Sequence, residues 1–225
     1  MITDIIHRET LHHGGFAGLR EHRLVNDLEL FKEHKDPATS DGLGALLYLA
    51  DARFNPYGET HMHPHKEVDV VTVMVEGKIV HEGSLQHGEN LSAGDVQVQR
   101  AGGEGFSHNE INPDSTKNRL LQLWFRPEVA GAKADYRLYK ASAQPIRRLY
   151  GGEGKETFNS STVMDLVTLK QNERFVHDRC FEAYLFEGDL ESDGYRLTDG
   201  DLFRGEGMTV VARTKSRFIL IYQEV

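Results

Sequence analysis

The chain has 225 residues, of which 39% are hydrophobic and 27% are charged, a balance typical of globular domains that excludes fibrous and extensively disordered classes. Its formal net charge of −9 would repel a phosphate backbone, which argues against direct binding of nucleic acid. It has no apolar run of about 18 residues and lacks the basic and apolar segments of a signal peptide, so we expect a cytoplasmic protein without membrane insertion.

Short segments rich in β-branched and aromatic residues recur between Gly, Asp and Asn, a rhythm that predicts the strands of an all-β sandwich or barrel. The predicted strands, in chain order, are 44–50, 68–75, 78–81, 96–99, 120–125, 163–169, 183–186 and 218–222. Segments with helical periodicity are scarce. Residues 132–143, between two strand-rich halves, are predicted to form a short linker helix or loop.

The two halves of the chain share a pattern that indicates an internal duplication. In the first half, residues 73–77 (Val-Met-Val-Glu-Gly) precede residues 92–96 (Ser-Ala-Gly-Asp-Val). In the second half, residues 184–188 (Tyr-Leu-Phe-Glu-Gly) precede residues 198–202 (Thr-Asp-Gly-Asp-Leu). Each pair predicts a strand, a Glu-Gly turn, a hairpin and a Gly-Asp turn, with glycine where the turn requires positive φ.

Two pairs of metal-ligating residue types flank the first of these units. His63 and His65 are separated by one residue, and so are His108 and Glu110. Residues two apart on a strand point to the same face, so each pair can present two ligands to one side. A single histidine is more often a surface residue than a ligand. The two pairs together nevertheless predict one divalent metal, since three imidazoles and a carboxylate suit iron, manganese, nickel, copper or zinc and leave positions open.

The remaining histidines and the single cysteine receive structural assignments. His61 shares the parity of the first histidine pair and is the substitute ligand if one of the four is misassigned. His81, His87 and His177 are expected to be surface or structural residues. Cys180 cannot form an intramolecular disulfide, and we expect it to be a small buried thiol.

The metal-ligating pairs lie in a region that resembles the pirin family of cupins. The resemblance rests on the segments 63–77, 93–97, 101–110, 112–116 and 121–124. It is most specific across residues 60–126 and extends more weakly, through the spacing of the two halves, to the whole chain.

The resemblance implies a fold and a domain arrangement. The fold expected is all-β, with two tandem cupin (jelly-roll type) β-barrels joined by a short linker. Residues 1–130 would form an N-terminal metal-binding cupin domain, and residues 131–225 a C-terminal cupin-like domain that lacks metal ligands. The N-terminal barrel would hold the metal, in the first place Fe(II), on the residues that match the family's ligands, which are His63, His65, His108 and Glu110.

Two features of the sequence bear on the pocket and on the second barrel. Asp69 stands where the family favours Glu, and its parity predicts that it faces the pocket. Counting back from Gly188 by the spacing that separates the first histidine pair from its Glu-Gly turn reaches Arg174 and Val176. No histidine follows Asp201. The second barrel is therefore predicted to be metal-free.

Some pirins resemble quercetinases in activity, which implies a quercetin 2,3-dioxygenase-like oxidoreductase that opens flavonol-like substrates with O2. Glu110 is then the expected catalytic base, taking a proton from the substrate hydroxyl. Other pirins are metal-dependent partners of transcription regulators or metabolic enzymes, so a non-enzymatic interaction protein or redox sensor is the alternative. A cupin that binds a small acid or sugar without turnover is a third option.

Overall fold

A computed structural model describes residues 1–192 and 194–224, and its regular structure is almost entirely β. The strands before residue 140 are β1 (Ile2–His7), β2 (His13–Phe16), β3 (Leu19–Asn26), β4 (Leu46–Phe54), β5 (His63–His65), β6 (Asp69–Glu76), β7 (Lys78–Gly83), β8 (Glu89–Ser92), β9 (Val96–Arg100), β10 (Phe106–Ile111), β11 (Arg119–Phe125) and β12 (Asp135–Tyr139). Those after it are β13 (Ile146–Gly152), β14 (Ser160–Leu169), β15 (Arg174–Glu187), β16 (Asp189–Ser192), β17 (Tyr195–Thr198), β18 (Asp201–Ala212) and β19 (Ser216–Gln223).

Helical structure is confined to the first half of the described residues. It consists of α1 (Leu28–Phe31) and two 3₁₀ turns, Arg8–Thr10 and Lys32–His34. Within the described ranges, no helix has the length and apolar character that crossing a membrane requires.

The strands form two cupin barrels, so the predicted all-β fold is confirmed. A seven-stranded sheet, β12-β9-β6-β11-β4-β3-β2, and a four-stranded sheet, β5-β10-β7-β8, make up the first barrel. An eight-stranded sheet, β13-β14-β19-β15-β18-β16-β17 with β1 paired to β18, makes up the second. Each predicted strand overlaps an observed one. The central strand β6 is buried over its first six residues, as its run of β-branched residues favours.

Each predicted domain contributes one strand to the sheet of the other. Strand β1, at the start of the chain, pairs with β18 in the second barrel. Strand β12, in the segment predicted as a linker helix or loop, instead pairs with β9 in the first barrel. In this strand Tyr136 points inward, and its hydroxyl donates to Gln97 Oε1 at 3.2 Å. The boundary near residue 130 stays a prediction.

The largest hydrophobic cluster lies between the barrels and joins them. It includes Leu49, Val71 and Leu123 from the first barrel and Tyr184 and Ile219 from the second. Burial of apolar surface shared by two sheets stabilises both together. The two barrels therefore have a common core at their junction.

A buried ionic cluster also crosses this junction. Asp51, in β4, is fully buried and accepts hydrogen bonds from Arg119 at 3.0 Å, Arg8 at 2.6 Å and Tyr184 at 2.6 Å. Burial alone would raise the pKa of Asp51, but the hydrogen bonds and charge of the two arginines lower it. Arg119 additionally donates to Asp199 of the second barrel at 2.7 Å. Tyr184 and Asp199 thus tie the second barrel to a carboxylate of the first.

The duplicated turns predicted from the sequence are present in both barrels. Gly77 has φ +70° and Gly188 has φ +96°, values that favour glycine because other residues carry a Cβ. Each Gly-Asp turn also makes the same side-chain contact. Asp95 Oδ2 accepts from the backbone N–H of Ser92 at 3.0 Å, and Asp201 Oδ2 accepts from that of Thr198 at 2.7 Å.

Two further sequence predictions were wrong. Asp69 faces the second barrel and not the pocket, since it accepts hydrogen bonds from Arg100 at 2.8 Å and from Tyr150 at 2.9 Å. The parity argument failed because Glu67 has φ +52°, which interrupts the alternation of side chains between β5 and β6. Cys180 is exposed and not buried, because the pairing of β15 with β18 shifts register just before it.

Candidate metal centre

One face of the four-stranded sheet brings the predicted ligands together. Strand β10 lies between β5 and β7, with His108 opposite His63 and Glu110 opposite His81. Directly opposed residues of an antiparallel pair have neighbouring side chains on the same face. His65 follows on β5 with the same parity as His63. The register of three strands thus places both predicted ligand pairs on one surface inside the barrel.

The three predicted imidazoles converge through their Nε2 atoms. His108 Nε2 lies 3.0 Å from His63 Nε2 and 3.1 Å from His65 Nε2. The ligand atoms of the three residues all lie within 4.8 Å of one another. The structure therefore brings these three side chains into one cluster, as the spacing of the two pairs predicts.

Hydrogen bonds on the far side of two rings orient their Nε2 atoms. His63 Nδ1 lies 2.8 Å from the carbonyl oxygen of His61, and since a carbonyl only accepts, the ring donates there and leaves Nε2 with a free lone pair. The Gln99 amide nitrogen Nε2 lies 3.1 Å from His108 Nδ1, whereas Gln99 Oε1 is buried without a partner among the described residues. Exchanging the amide nitrogen and oxygen gives Oε1 a partner, and His108 then donates through Nδ1 and frees Nε2.

Burial keeps the imidazoles of His65 and His108 neutral. It lowers the pKa of His65 to about 4, with the neighbouring His63 contributing. It lowers the pKa of His108 to about 2, helped by the charges of His65 and His63. Neutral imidazoles are the form that binds a metal ion.

Glu110 lies deeper in the barrel than the imidazole cluster. Its side chain is 3% exposed, and its Oε1 accepts hydrogen bonds from Thr72 at 2.8 Å and from Gln97 at 2.7 Å. Burial raises the pKa of Glu110 to about 7, although both hydrogen bonds lower it. Its carboxylate falls within 4.8 Å of ligand atoms of His108 and His81. The assignment of all four residues to one ion stays a prediction.

The other histidines occupy different environments. His61, named as the substitute if one ligand were misassigned, is exposed, lies 3.6 Å from Glu59 and is outside the cluster. His87 is exposed and His177 is half-buried, in line with their predicted roles. His81 is fully buried against the cluster, and sequence reasoning missed it. On the predicted strand 78–81, His81 lies two residues after the apolar Ile79, so both side chains are expected on the same inner face.

A cavity connects the cluster to the surface. Its inner part, of about 40 Å³, is lined by the three imidazoles and Glu110. It continues into a groove of about 460 Å³, a size that suits a small organic molecule. Aromatic side chains wall the passage, with Tyr48 stacked on Trp124 at 4.6 Å between ring centroids. The buried indole N–H of Trp124 has no hydrogen-bond partner within the described chain.

The donor set fits a divalent transition-metal ion. Two nitrogens that each lie about 2.1 Å from one ion are about 3.0 Å apart when the angle at the ion is near 90°. The distances of 3.0 and 3.1 Å between the histidine nitrogens match this geometry. Imidazole and carboxylate ligands are those that iron, nickel, copper and zinc accept.

Comparisons with known proteins agree with this fold and donor set. A family model described as Pirin matches residues 30–125. A quercetin 2,3-dioxygenase of Escherichia coli K12 is 39% identical over 180 residues, which cover 76% of this chain and 77% of that protein. A quercetin 2,3-dioxygenase of Escherichia coli O157:H7 is 39% identical over 107 residues, so the match spans 46% of its length.

The fold is also shared with a solved structure. The crystal structure of the bacterial pirin YhhW from Escherichia coli in complex with nickel(II) superposes with a TM-score of 0.85. The superposition covers all of both chains at 22% sequence identity. With the K12 relative matched over most of both chains, this protein belongs to the pirin family.

Proposed function

We propose that this protein is a metal-dependent dioxygenase that opens flavonols such as quercetin with O2, using one divalent ion held by His63, His65, His108 and Glu110. The convergence of three imidazoles at the end of an aromatic groove supports the proposal most directly. The names of the Escherichia coli relatives support the substrate class. Nickel(II) in the YhhW complex supports a divalent ion, with Fe(II) the first expectation here.

The residues of the site have distinct tasks in this proposal. A bound divalent ion supplies positive charge that lowers the pKa of a coordinated hydroxyl. The imidazoles of His63 and His108 are aimed by the carbonyl of His61 and the amide of Gln99. Orienting hydrogen bonds of this kind reduce the reorganisation that binding would otherwise require.

Glu110 is suited to accept the proton of a flavonol hydroxyl. In the metal-free protein burial raises its pKa to about 7, close to neutral pH, where a general base is most effective. Thr72 and Gln97 hold Oε1 in place. No hydrogen bond to Oε2 is found among the described residues, and the carboxylate lines the inner cavity. The second oxygen therefore faces the site, where it would bind the ion or, on leaving it, take up the substrate proton.

The groove is suited to a flat aromatic molecule. Phe16, Tyr48 and Trp124 line both the inner cavity and the groove, and aromatic rings stack favourably on such walls. The indole N–H of Trp124, buried without a partner in the described chain, can donate a hydrogen bond to an oxygen of the ligand. These residues would orient the substrate, and Glu110 would receive its proton.

Incubation of the iron-loaded protein with quercetin, with and without O2, tests the proposal. We expect oxygen-dependent loss of flavonol absorbance with stoichiometric metal, and no loss with the metal-free protein or with His108→Ala. Unchanged absorbance in air at full metal loading would overturn the dioxygenase assignment. If the ion binds without turnover, recovery of a protein partner in only one oxidation state of the ion would favour the metal-dependent interaction protein.

A further inference from the structure

His81 is buried in a way that the proposed function does not explain. Its side chain has no exposed surface, and neither Nδ1 nor Nε2 has a hydrogen-bond partner among the described residues. A neutral imidazole carries one donor and one acceptor. Burying both unpaired costs free energy, so such a group indicates a binding partner that is not part of the chain.

The position of His81 points to the nature of that partner. It stands opposite Glu110 in the pairing of β7 with β10, and its ring centroid lies 5.4 Å from that of His108. The residue opposite His108 is Gly83. A Cβ at Gly83 would lie 2.9 Å from His81 Nε2, so the missing side chain leaves room for the ring next to His108.

The three side chains meet the distance requirement for a common ion. Ligand atoms of His81, His108 and Glu110 all lie within 4.8 Å of one another, and all three residues are buried. Two imidazoles and one carboxylate form the donor set of catalytic zinc sites and of non-haem Fe(II) sites. An ordered water could satisfy His81, but it would not need a carboxylate and a second imidazole at this spacing.

We propose that His81, His108 and Glu110 form an inner position for a divalent transition-metal ion, deeper in the barrel than the position on His63 and His65. This inference extends the proposed function, because both positions share His108 and Glu110. His108 Nδ1 already faces the Gln99 amide, so its Nε2 serves either position and the two positions are alternatives for a single ion. His81 is then the ligand that retains the ion when the outer histidines release it.

Zn(II) binding to a set of full-length variants tests the inner position. The double variant His63→Ala/His65→Ala removes the outer donors, and we expect it to retain one Zn(II) per chain with affinity weakened by about 10- to 100-fold. Adding His81→Phe, which fills the same space without nitrogen donors, should weaken binding by a further factor of at least about ten. Adding His87→Phe, on the exposed neighbouring histidine, should change affinity by less than about twofold.

Equilibrium dialysis with metal analysis measures the binding, and thermal unfolding by circular dichroism checks that each variant is folded. The inner position is overturned if the folded double variant binds no Zn(II), or if His81→Phe leaves its affinity unchanged, as an ordered water would predict. A different result would contradict the ligand set of the proposed function. Equal Zn(II) affinity of the wild type and the double variant would remove His63 and His65 from the site while leaving the inner position intact.

Discussion

The two barrels are built on the same turns and filled with different side chains. In the first barrel the interior holds polar groups such as Thr72, Gln97 and Glu110, which are hydrogen-bonded to one another. In the second barrel a hydrophobic cluster that includes Leu185 and Phe203 occupies the interior. The shared turns specify the barrel, while the interior side chains decide whether it encloses a site or a core.

The contrast extends to the positions of the proposed metal ligands. Arg174 and Val176, which correspond by spacing to the first histidine pair, are exposed on β15. Within residues 1–192 and 194–224, both groups of three closely spaced donors lie in the first barrel. Buried polar groups stabilise a fold less than apolar packing does. Stability therefore does not explain the polar interior of the first barrel, which fits the proposed metal site.

The largest difference between the two barrels should be seen in metal binding, when a proposed ligand is removed from the first barrel. We expect His108→Ala to lower the affinity for a divalent ion by more than about 100-fold, above the loss typical for groups that only orient a ligand. His177→Ala, at the half-buried histidine of the second barrel, is the matched control and should retain the ion. Metal analysis of the purified proteins measures both. Equal metal content in the two variants would contradict the assignment of the site to the first barrel.

Cutting the ionic cluster between the barrels tests whether they unfold as one unit. Asp51→Ala leaves Arg119 and Arg8 at the junction without the carboxylate they bind, and we expect a loss of about 3–5 kcal/mol in the free energy of unfolding. Asp114→Ala, which removes an exposed ion pair with Lys78, should change it by less than about 0.5 kcal/mol. Urea unfolding followed by circular dichroism measures both. A separate early transition of one barrel in wild type would disprove a common core.

The pH dependence of the free energy of unfolding should show how much the buried Glu110 carboxylate destabilises the first barrel. In the folded state burial raises the pKa of Glu110 from 4.5 to about 7, so the folded metal-free protein binds more protons than the unfolded chain between these values. Its stability therefore falls as pH rises through this window, by up to about 3 kcal/mol. Glu110→Gln removes this dependence and should be the more stable protein above about pH 7.

Urea unfolding of chelator-treated wild type and Glu110→Gln across the window measures the difference in free energy. The titration of the buried histidines is present in both proteins, so subtraction largely removes it. A difference that does not change with pH would mean that the Glu110 carboxyl is not destabilised by burial.

Much of the fold and of the site could be predicted from local sequence. Strand positions, the Glu-Gly and Gly-Asp turns and the two ligand pairs all depend on residues close together in the chain. His63 and His65 lie two apart on one strand, and so do His108 and Glu110 on another. Their shared faces therefore follow from strand geometry alone.

The features that were missed depend on non-local pairing. Residues 135–139 form a strand only because the edge of β9 is available to them. The side of the strand on which Asp69 lies is set by the positive φ of Glu67, which single-sequence alternation does not reveal. The role of His81 emerges only once β7 is known to pair with β10. Partner strands, unlike strand positions, are not encoded in a local pattern.

The smallest effects on stability should come from substitutions in the Gly-Asp turn, which occurs once in each barrel. Asp95 accepts a second hydrogen bond from the backbone of Ala141, just beyond β12, at 2.9 Å. Asp201 accepts a second hydrogen bond from the ring Nδ1 of His7, at the end of β1, at 2.7 Å. Each carboxylate thus holds its own turn and the end of the strand that crosses from the other half.

Replacement by asparagine keeps an acceptor and removes the charge, so Asp95→Asn and Asp201→Asn should each cost about 1 kcal/mol, measured by urea unfolding. Because each carboxylate holds its own turn and a crossing strand, and the ion pair of Asp95 with the exposed Lys140 adds little, we expect the two losses to be similar. The double variant should show their sum, since the two turns share no partner. A loss confined to one barrel would mean that the repeated turn contributes to stability in only one of them, and that the likeness of the barrels is one of shape alone.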